Sequence, residues 1–398
     1  MEKFIYLRIK LFFTKLETIK SIISFLIFVF IINNNQRFTK KRDSIKEIQN
    51  YIINNVNGKL INSSDTFNIV KNPKISIVIS VYNGKGYLKT ALRSIQNQDF
   101  KDIEIIIIDD FSTDDSASLI KELMKEDPRI VFLQNKENKG ILYTKTKGIL
   151  QAKGKYVMTL DEDDLYASND AFSTLYNEAE KYHLDIVGFG SIINDINILN
   201  KKITKYNYFE SPIISQPYIR ERMYIKNKKG EIERLNNVIW CFFFKTQLFI
   251  KIIKDINSYF LNNIMNYHDD MVLFFLLTRS AKRLKQIKRI FYFVLIRPKP
   301  REPSIVYRLK QKSEGYKKNS CLSYLYYAEF LLLNTNENYI DKEIASYELE
   351  SWFLDHECRN NTFIQKLAKK VCFLYLNNKY IKKSIKEKIK SFIKENSE

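Results

Sequence analysis

The chain has 398 residues, 45% apolar and 28% charged, with only 10 glycines and 7 prolines. That balance fits two or three folded domains, or one large domain with appendages; it excludes wholesale disorder, collagen-like repeats and proline-rich linkers. Its 65 Lys and Arg against 45 Asp and Glu leave a formal charge of +20, which points to an anionic partner without choosing among nucleic acid, a membrane surface and a phosphorylated substrate. Cys241, Cys321, Cys358 and Cys372 form no CxxC pair, and His183, His268 and His356 are scattered. Neither a disulfide framework nor a His-rich metal site is expected.

Near the amino terminus, residues 22–32 read IISFLIFVFII, with Ser24 the sole polar member. The run is about half of the roughly 20 residues that a straight membrane span needs. Lys15 and Lys20 precede it, and Arg37, Lys40, Lys41 and Arg42 follow, so flanking charge gives no orientation. Two readings stand: a membrane-associated helix, single-pass or interfacial, or a helix buried on the rest of the protein. An unbroken apolar run is awkward for an amphipathic surface helix, so residues 1–45 are expected to be a hydrophobic, membrane-associated segment. The polar, Asn-rich residues 46–73 read as a linker.

From Lys74 the pattern changes. Ile75 to Val81 is a β-branched run ending at the turn signal Tyr82-Asn83-Gly84. Tyr87, Leu88, Ala91, Leu92 and Ile95 follow at helical spacing. A strand is expected over Ile103–Ile108, ending at Asp109-Asp110, then a helix from about Ser116 to Lys125. Next come a strand at Ile130–Leu133, a helix around Leu142–Leu150, and a strand at Tyr156–Leu160 ending at Asp161. Unbroken apolar strands alternating with helices predict βαβ units in a mostly parallel, buried sheet.

Ligands of open α/β sheets bind outside the carboxyl ends of the strands. Three strands here end in polar residues: Tyr82-Asn83, Asp109-Asp110, and Asp161-Glu162-Asp163-Asp164. Carboxylates gathered on one rim repel unless a cation lies between them. Asp161 and Asp163 supply hard oxygen ligands suited to Mg²⁺ or Mn²⁺ that is also held by a substrate diphosphate.

On these residues the sequence resembles the family 2 glycosyltransferases, inverting enzymes of the GT-A fold. The resemblance runs through ISIVISVYNGKGYLKTALRSIQNQDFKDIEIIIIDDFSTDDS, ENKG at Glu137–Gly140, KGKYVMTLDEDD at Lys153–Asp164 and DIVGFG at Asp185–Gly190. It continues more loosely to Arg297. It implies a Rossmann-like α/β domain over 74–305, an open, mixed, mostly parallel sheet flanked by helices. Residues 74–165 would be the nucleotide-sugar half and 166–305 the acceptor half; residues 306–398 lie outside the resemblance and read as a helical, basic C-terminal region. It also implies roles. Asp109 matches the acid that pairs with the nucleotide base, with Asp110 beside it, and Val81 and Tyr82 match the strand end lining base and ribose. Lys139 belongs to the ENKG stretch on the donor side. Asp163 matches the direct metal ligand, and Asp161 lies nearer ribose and sugar. Where the family carries Ala-Arg-Asn, this chain has Thr144-Lys145-Thr146. Lys145 keeps the cation but not the planar fork of arginine.

An inverting transfer needs a general base beside the acceptor hydroxyl. Asn266-Tyr267-His268-Asp269-Asp270 precedes the apolar run MVLFFLL. By resemblance Asp270 matches the base, and Asp269 replaces the usual Glu; acids opening a helix also serve as caps favoured by its dipole. His268 is open as an acceptor contact or a metal ligand, Trp240 as a sugar-stacking ring or core, and Arg297 as a diphosphate contact or a solvated residue. The last residues pair Ile381, Ile385, Ile389, Phe392 and Ile393 with a run of lysines, a basic amphipathic helix that suits either an anionic membrane or the surface of the catalytic domain. The expected function is metal-assisted transfer of a sugar, UDP-linked, to a hydroxyl of a glycan, lipid or protein. The alternative is an inactive GT-A domain that binds carbohydrate or acts as a scaffold, against which the retention of Asp109, Asp161, Asp163 and Asp270 speaks. Nucleic acid is not an expected partner, because the aromatics sit in apolar runs rather than among basic residues.

Overall fold

A computed structural model describes residues 67–195, 205–207, 210–216, 218–219, 224–226, 232–235, 239–256, 260–261, 269–296, 322, 325–333, 362–376 and 383–395. All lie in the compact unit Gly58–Glu398. The hydrophobic run 22–32 lies outside them. Among the described residues no helix is long and apolar enough to cross a membrane.

The first half alternates as its periodicity predicts: β1 (Ile75–Val81), α1 (Leu88–Gln96), β2 (Ile103–Asp109), α2 (Ser116–Glu126), β3 (Ile130–Gln134), α3 (Ile141–Gln151) and β4 (Tyr156–Asp161). Every residue of β1 and β2 is buried, the reason their sequences are apolar throughout rather than alternating. The second half holds β5 (Leu165–Tyr166), α4 (Ala171–Tyr182), β6 (Ile186–Asp195), β7 (Lys205–Asn207), β8 (Ile214–Ser215), β9 (Tyr224–Lys226), β10 (Ile232–Leu235), β11 (Phe242–Lys245), α5 (Thr246–Lys254), α6 (Asp269–Ser280) and β12 (Arg283–Ile296). His183 caps α4 in the left-handed conformation at φ 49°.

Among the described residues ten strands form one sheet with the central order β3-β2-β1-β4-β11-β6-β12-β5. The β3-β2-β1-β4 block is parallel. β11 runs antiparallel to both β4 and β6, and β6 and β12 are parallel. The sheet is therefore mixed and flanked by helices, as expected. The one reversed strand between its halves lets a second set of loops meet the rim of the first.

Gly154, just before β4, lies against the backbone of β1: a Cβ there would stand 2.6 Å from the Ser76 nitrogen and 2.7 Å from the Ile75 carbonyl carbon. Backbone cannot swing aside as a side chain can. Gly154→Ala is therefore expected to destabilise the fold by about 1–3 kcal/mol, read as a lower denaturant midpoint with unchanged slope.

At the C-terminal end, α7 (Thr362–Leu376) and α8 (Lys383–Glu395) are helical. Ile389 and Phe392 of α8 are buried, while Lys388, Lys390 and Lys394 are exposed. Of the two readings of this basic helix, the structure displays the covering one: the apolar side rests on the protein's own core. Phe67, inside the stretch read as linker, packs under the Arg129 guanidinium, 4.1 Å from its ring centre.

Candidate active site

The parallel block brings its polar strand ends to one rim. Val81 pairs in register with Asp109, and Ser80 with Asp161. Asp109 and Asp161 thus flank the end of β1 from either side. A fourth polar strand end joins them, Gln134 of β3, in register with Asp109.

Asp109 is fully buried. Its Oδ2 accepts hydrogen bonds from the Gln134 side chain at 2.9 Å and the Ser112 backbone at 3.2 Å. Its Oδ1 has no partner, and a buried acceptor left unmatched is costly, hence uncommon. Asp110 is saturated. It accepts from the Lys139 and Gly140 backbone N–H groups and from Asn135, each at 2.8 Å. It clasps the loop that leads into α3, where Gly140 turns at φ 83°. The Lys139 ammonium turns to Glu137 at 2.6 Å. Val81 is a core side chain, whereas Tyr82 and Phe111 are exposed aromatics at the ends of β1 and β2. Phe111 is held at φ 62°, a conformation that costs a bulky residue about 1–3 kcal/mol.

The acidic turn after β4 divides its labour. Asp164 folds inward and is buried, while Asp163 is half-buried. The Asp161 backbone N–H donates to the Tyr292 hydroxyl at 3.2 Å. Trp240 stacks on that Tyr292 ring, with centroids 4.6 Å apart. Trp240 thereby supports the floor beneath the acidic turn.

Asp269 and Asp270 open α6, as the sequence predicts. Between them and Asp161 lies the Lys145 ammonium, 3.0 Å from Asp269 Oδ2, 3.1 Å from Asp270 Oδ1 and 3.3 Å from Asp161 Oδ1. The Lys145 side chain is only 2% exposed. Burial pulls its pKa down, but the three carboxylates outweigh this and hold it well above the ordinary lysine range. For Asp270, burial and then the charges of Asp269 and Asp161 push the carboxyl well up, against the opposing pull of Lys145. A carboxylate so raised is a stronger base than an ordinary aspartate.

Among the described residues no three His, Cys, Asp or Glu side chains group as a metal site. A Mg²⁺ or Mn²⁺ shared with a diphosphate needs only one or two protein carboxylates. Asp161 Oδ1 makes no hydrogen bond but lies 3.3 Å from the Lys145 ammonium; with the half-buried Asp163 it offers the two carboxylates that such a shared ion needs. His268 and Arg297 lie outside the described residues. Cys241 is buried, and burial pushes its thiol pKa up, which leaves it a core residue.

Gln134, Asn135 and Tyr292 belong to this site without having been singled out. Gln134-Asn135 was available to the same strand-end rule that flagged the other three; Tyr292 sits in an apolar run and gave no signal.

Residues 76–252 match the family model "Glycosyl transferase family 2". Over 117 residues the chain is 42% identical to a GalNAc(5)-diNAcBac-PP-undecaprenol beta-1,3-glucosyltransferase of Campylobacter jejuni, covering 29% of this chain and 38% of that one. Over 113 residues it is 37% identical to the glycosyltransferase GlyA of Streptococcus pneumoniae, covering 28% and 16%. The chain thus spans well under half the length of these relatives. The crystal structure of S. aureus TarS 1-349 shares the fold at a TM-score of 0.51 and 15% identity, over 76% of this chain and 80% of that one. By sequence match, Residues 76–252 are a domain of glycosyl transferase family 2.

Proposed function

We propose that the protein transfers a sugar from a nucleotide-sugar, UDP-linked, to a hydroxyl acceptor with inversion. The observation that carries this reading is the meeting on one rim of the orphaned Asp109 acceptor, the Asp161–Asp163 turn and the Asp269-Asp270 pair. Asp109 Oδ1 accepts the N–H of the base, and Tyr82 lines it. Asp270 takes the proton from the acceptor hydroxyl as its oxygen attacks the anomeric carbon. The bond from that carbon to the diphosphate oxygen breaks, and the diphosphate leaves from the opposite face. Asp163, with Asp161, would hold a divalent cation, which when bound offsets the charge of the leaving diphosphate. The proposed acceptor is a lipid-linked glycan, in line with the undecaprenol-linked acceptor named for the Campylobacter relative.

The test is release of nucleoside diphosphate from a panel of nucleotide-sugars, with and without Mn²⁺. Hydrolysis of a UDP-sugar, enhanced by Mn²⁺, is the expected result. Absence of binding and turnover across the panel overturns the reading in favour of an inactive, scaffold-type domain.

A lipid-linked acceptor also requires a membrane, and residues 22–32 are the proposed attachment. An Arg at the centre of such a run costs about 2.5–3.5 kcal/mol on insertion scales. Leu26→Arg is therefore expected to move the protein from the membrane pellet to the high-speed supernatant. Recovery of the unaltered protein in the supernatant would count against the attachment.

A further inference from the structure

We propose that Lys145 is a positioning residue: an internal counter-ion that fixes the base Asp270 relative to Asp161 on the donor rim. The proposal rests on the reading of Asp270 and Asp161 given above, and it assigns Lys145 to holding the machinery rather than to holding the donor.

The geometry separates those two roles. Lys145 projects from α3, Asp161 ends β4, and Asp269 and Asp270 open α6, more than a hundred residues further along the chain. Among the described residues one ammonium reaches all three carboxylates. Two of its contacts are hydrogen bonds, to Asp269 and Asp270, and the third is the ion-pair contact to Asp161. An ammonium has three N–H donors and no acceptor, and this one is 2% exposed. It keeps no open side with which to meet a diphosphate.

Removing it leaves three carboxylates crowded around an empty point. They repel, and the first turn of α6 loses its ion-pair tie to the donor rim. A compact ammonium suits this task because its donors point in separate directions. A planar guanidinium is matched instead to one bidentate carboxylate, so arginine restores the charge but only part of the geometry.

The full chain would be compared as wild type, Lys145→Met, Lys145→Arg and Lys145→Met/Asp269→Asn. Three quantities would be read: hydrogen exchange of the α6 first turn, the dissociation constant of uridine diphosphate, and the kcat for hydrolysis of the donor. The double variant carries two carboxylates and no ammonium, the same net charge as three with one. It is read against Asp269→Asn and keeps the test open if Lys145→Met does not fold. In Lys145→Met, α6 exchange is expected to rise about tenfold or more and kcat to fall about 100-fold, with uridine diphosphate affinity within about threefold of wild type. Lys145→Arg should recover a substantial part of both protection and kcat. A tenfold loss of uridine diphosphate affinity with α6 protection intact overturns the proposal and makes Lys145 a donor ligand. Unchanged protection together with unchanged kcat overturns it too, by reducing the cluster to an ordinary ion pair. A wild-type chain that neither binds nucleotide nor hydrolyses any donor defeats the transferase reading instead, while α6 exchange still decides whether Lys145 ties the two elements.

Discussion

Asp270→Asn is expected to abolish transfer, lowering its rate by about 10²–10⁴-fold, while nucleotide affinity stays at the wild-type level. The amide fills the same volume, and its oxygen can still accept the hydrogen bond that Lys145 Nζ donates to Asp270 Oδ1 at 3.1 Å. It has lost the basicity that takes a proton from the acceptor hydroxyl. The proposed donor contacts lie elsewhere, Asp109 at the end of β2 and Tyr82 just past the end of β1, which is why binding and chemistry separate. The neighbouring acid supplies the control. Asp269 is more enclosed than Asp270, with side-chain exposures of 10% and 17%. Asp270, the more open of the two, is the better placed to meet an acceptor. Should Asp269→Asn be inactive and Asp270→Asn active, the base is Asp269.

The donor half of the fold was legible because its physics is local. Parallel strands buried on both faces read as uninterrupted β-branched runs, and Ile75–Val81 and Ile103–Asp109 do so. Helices between them show in the spacing of residues such as Leu88, Leu92 and Ile95. The rule that ligands gather at carboxyl ends then picked out Asp109 and Asp161 before any geometry was known. What resisted was non-local. Nothing in NVIWCFFFKTQLF reveals that Phe242–Lys245 inserts antiparallel between β4 and β6. Lys145 reads, by resemblance, as the cation standing where the family carries arginine on the donor side; only tertiary packing brings it against acids more than a hundred residues away. Tyr292 reads as core, and its ring is core. Only its hydroxyl reaches the Asp161 backbone. The left-handed backbone of Phe111 could not be foreseen either, since sterics disfavour it for an aromatic residue. The C-terminal lysines show the reverse case. Their helical pattern was plain, but which surface covers Ile389 and Phe392 depended on packing that no local pattern encodes.

Asp163→Ala is expected to reduce transfer to background while leaving the melting temperature within about a degree of wild type. A half-buried carboxylate on a turn contributes little to the core, and substitutions of that kind usually change stability by less than about 0.5 kcal/mol. The turn itself is held by other groups. The Asp164 N–H donates to the Asp161 carbonyl at 3.1 Å, and the Tyr292 hydroxyl accepts from the Asp161 N–H. The loss therefore belongs to the reaction rather than to the fold. Asp161 is already opposed by the Lys145 ammonium, and Asp163 is the residue that matches the direct metal ligand by resemblance. Excess EDTA should reproduce the Asp163→Ala phenotype in the wild-type protein, and added Mn²⁺ should restore the wild type but not the variant. Full activity in excess EDTA would remove the divalent cation from the mechanism. In that case the charge of the leaving diphosphate must be met by protein cations alone.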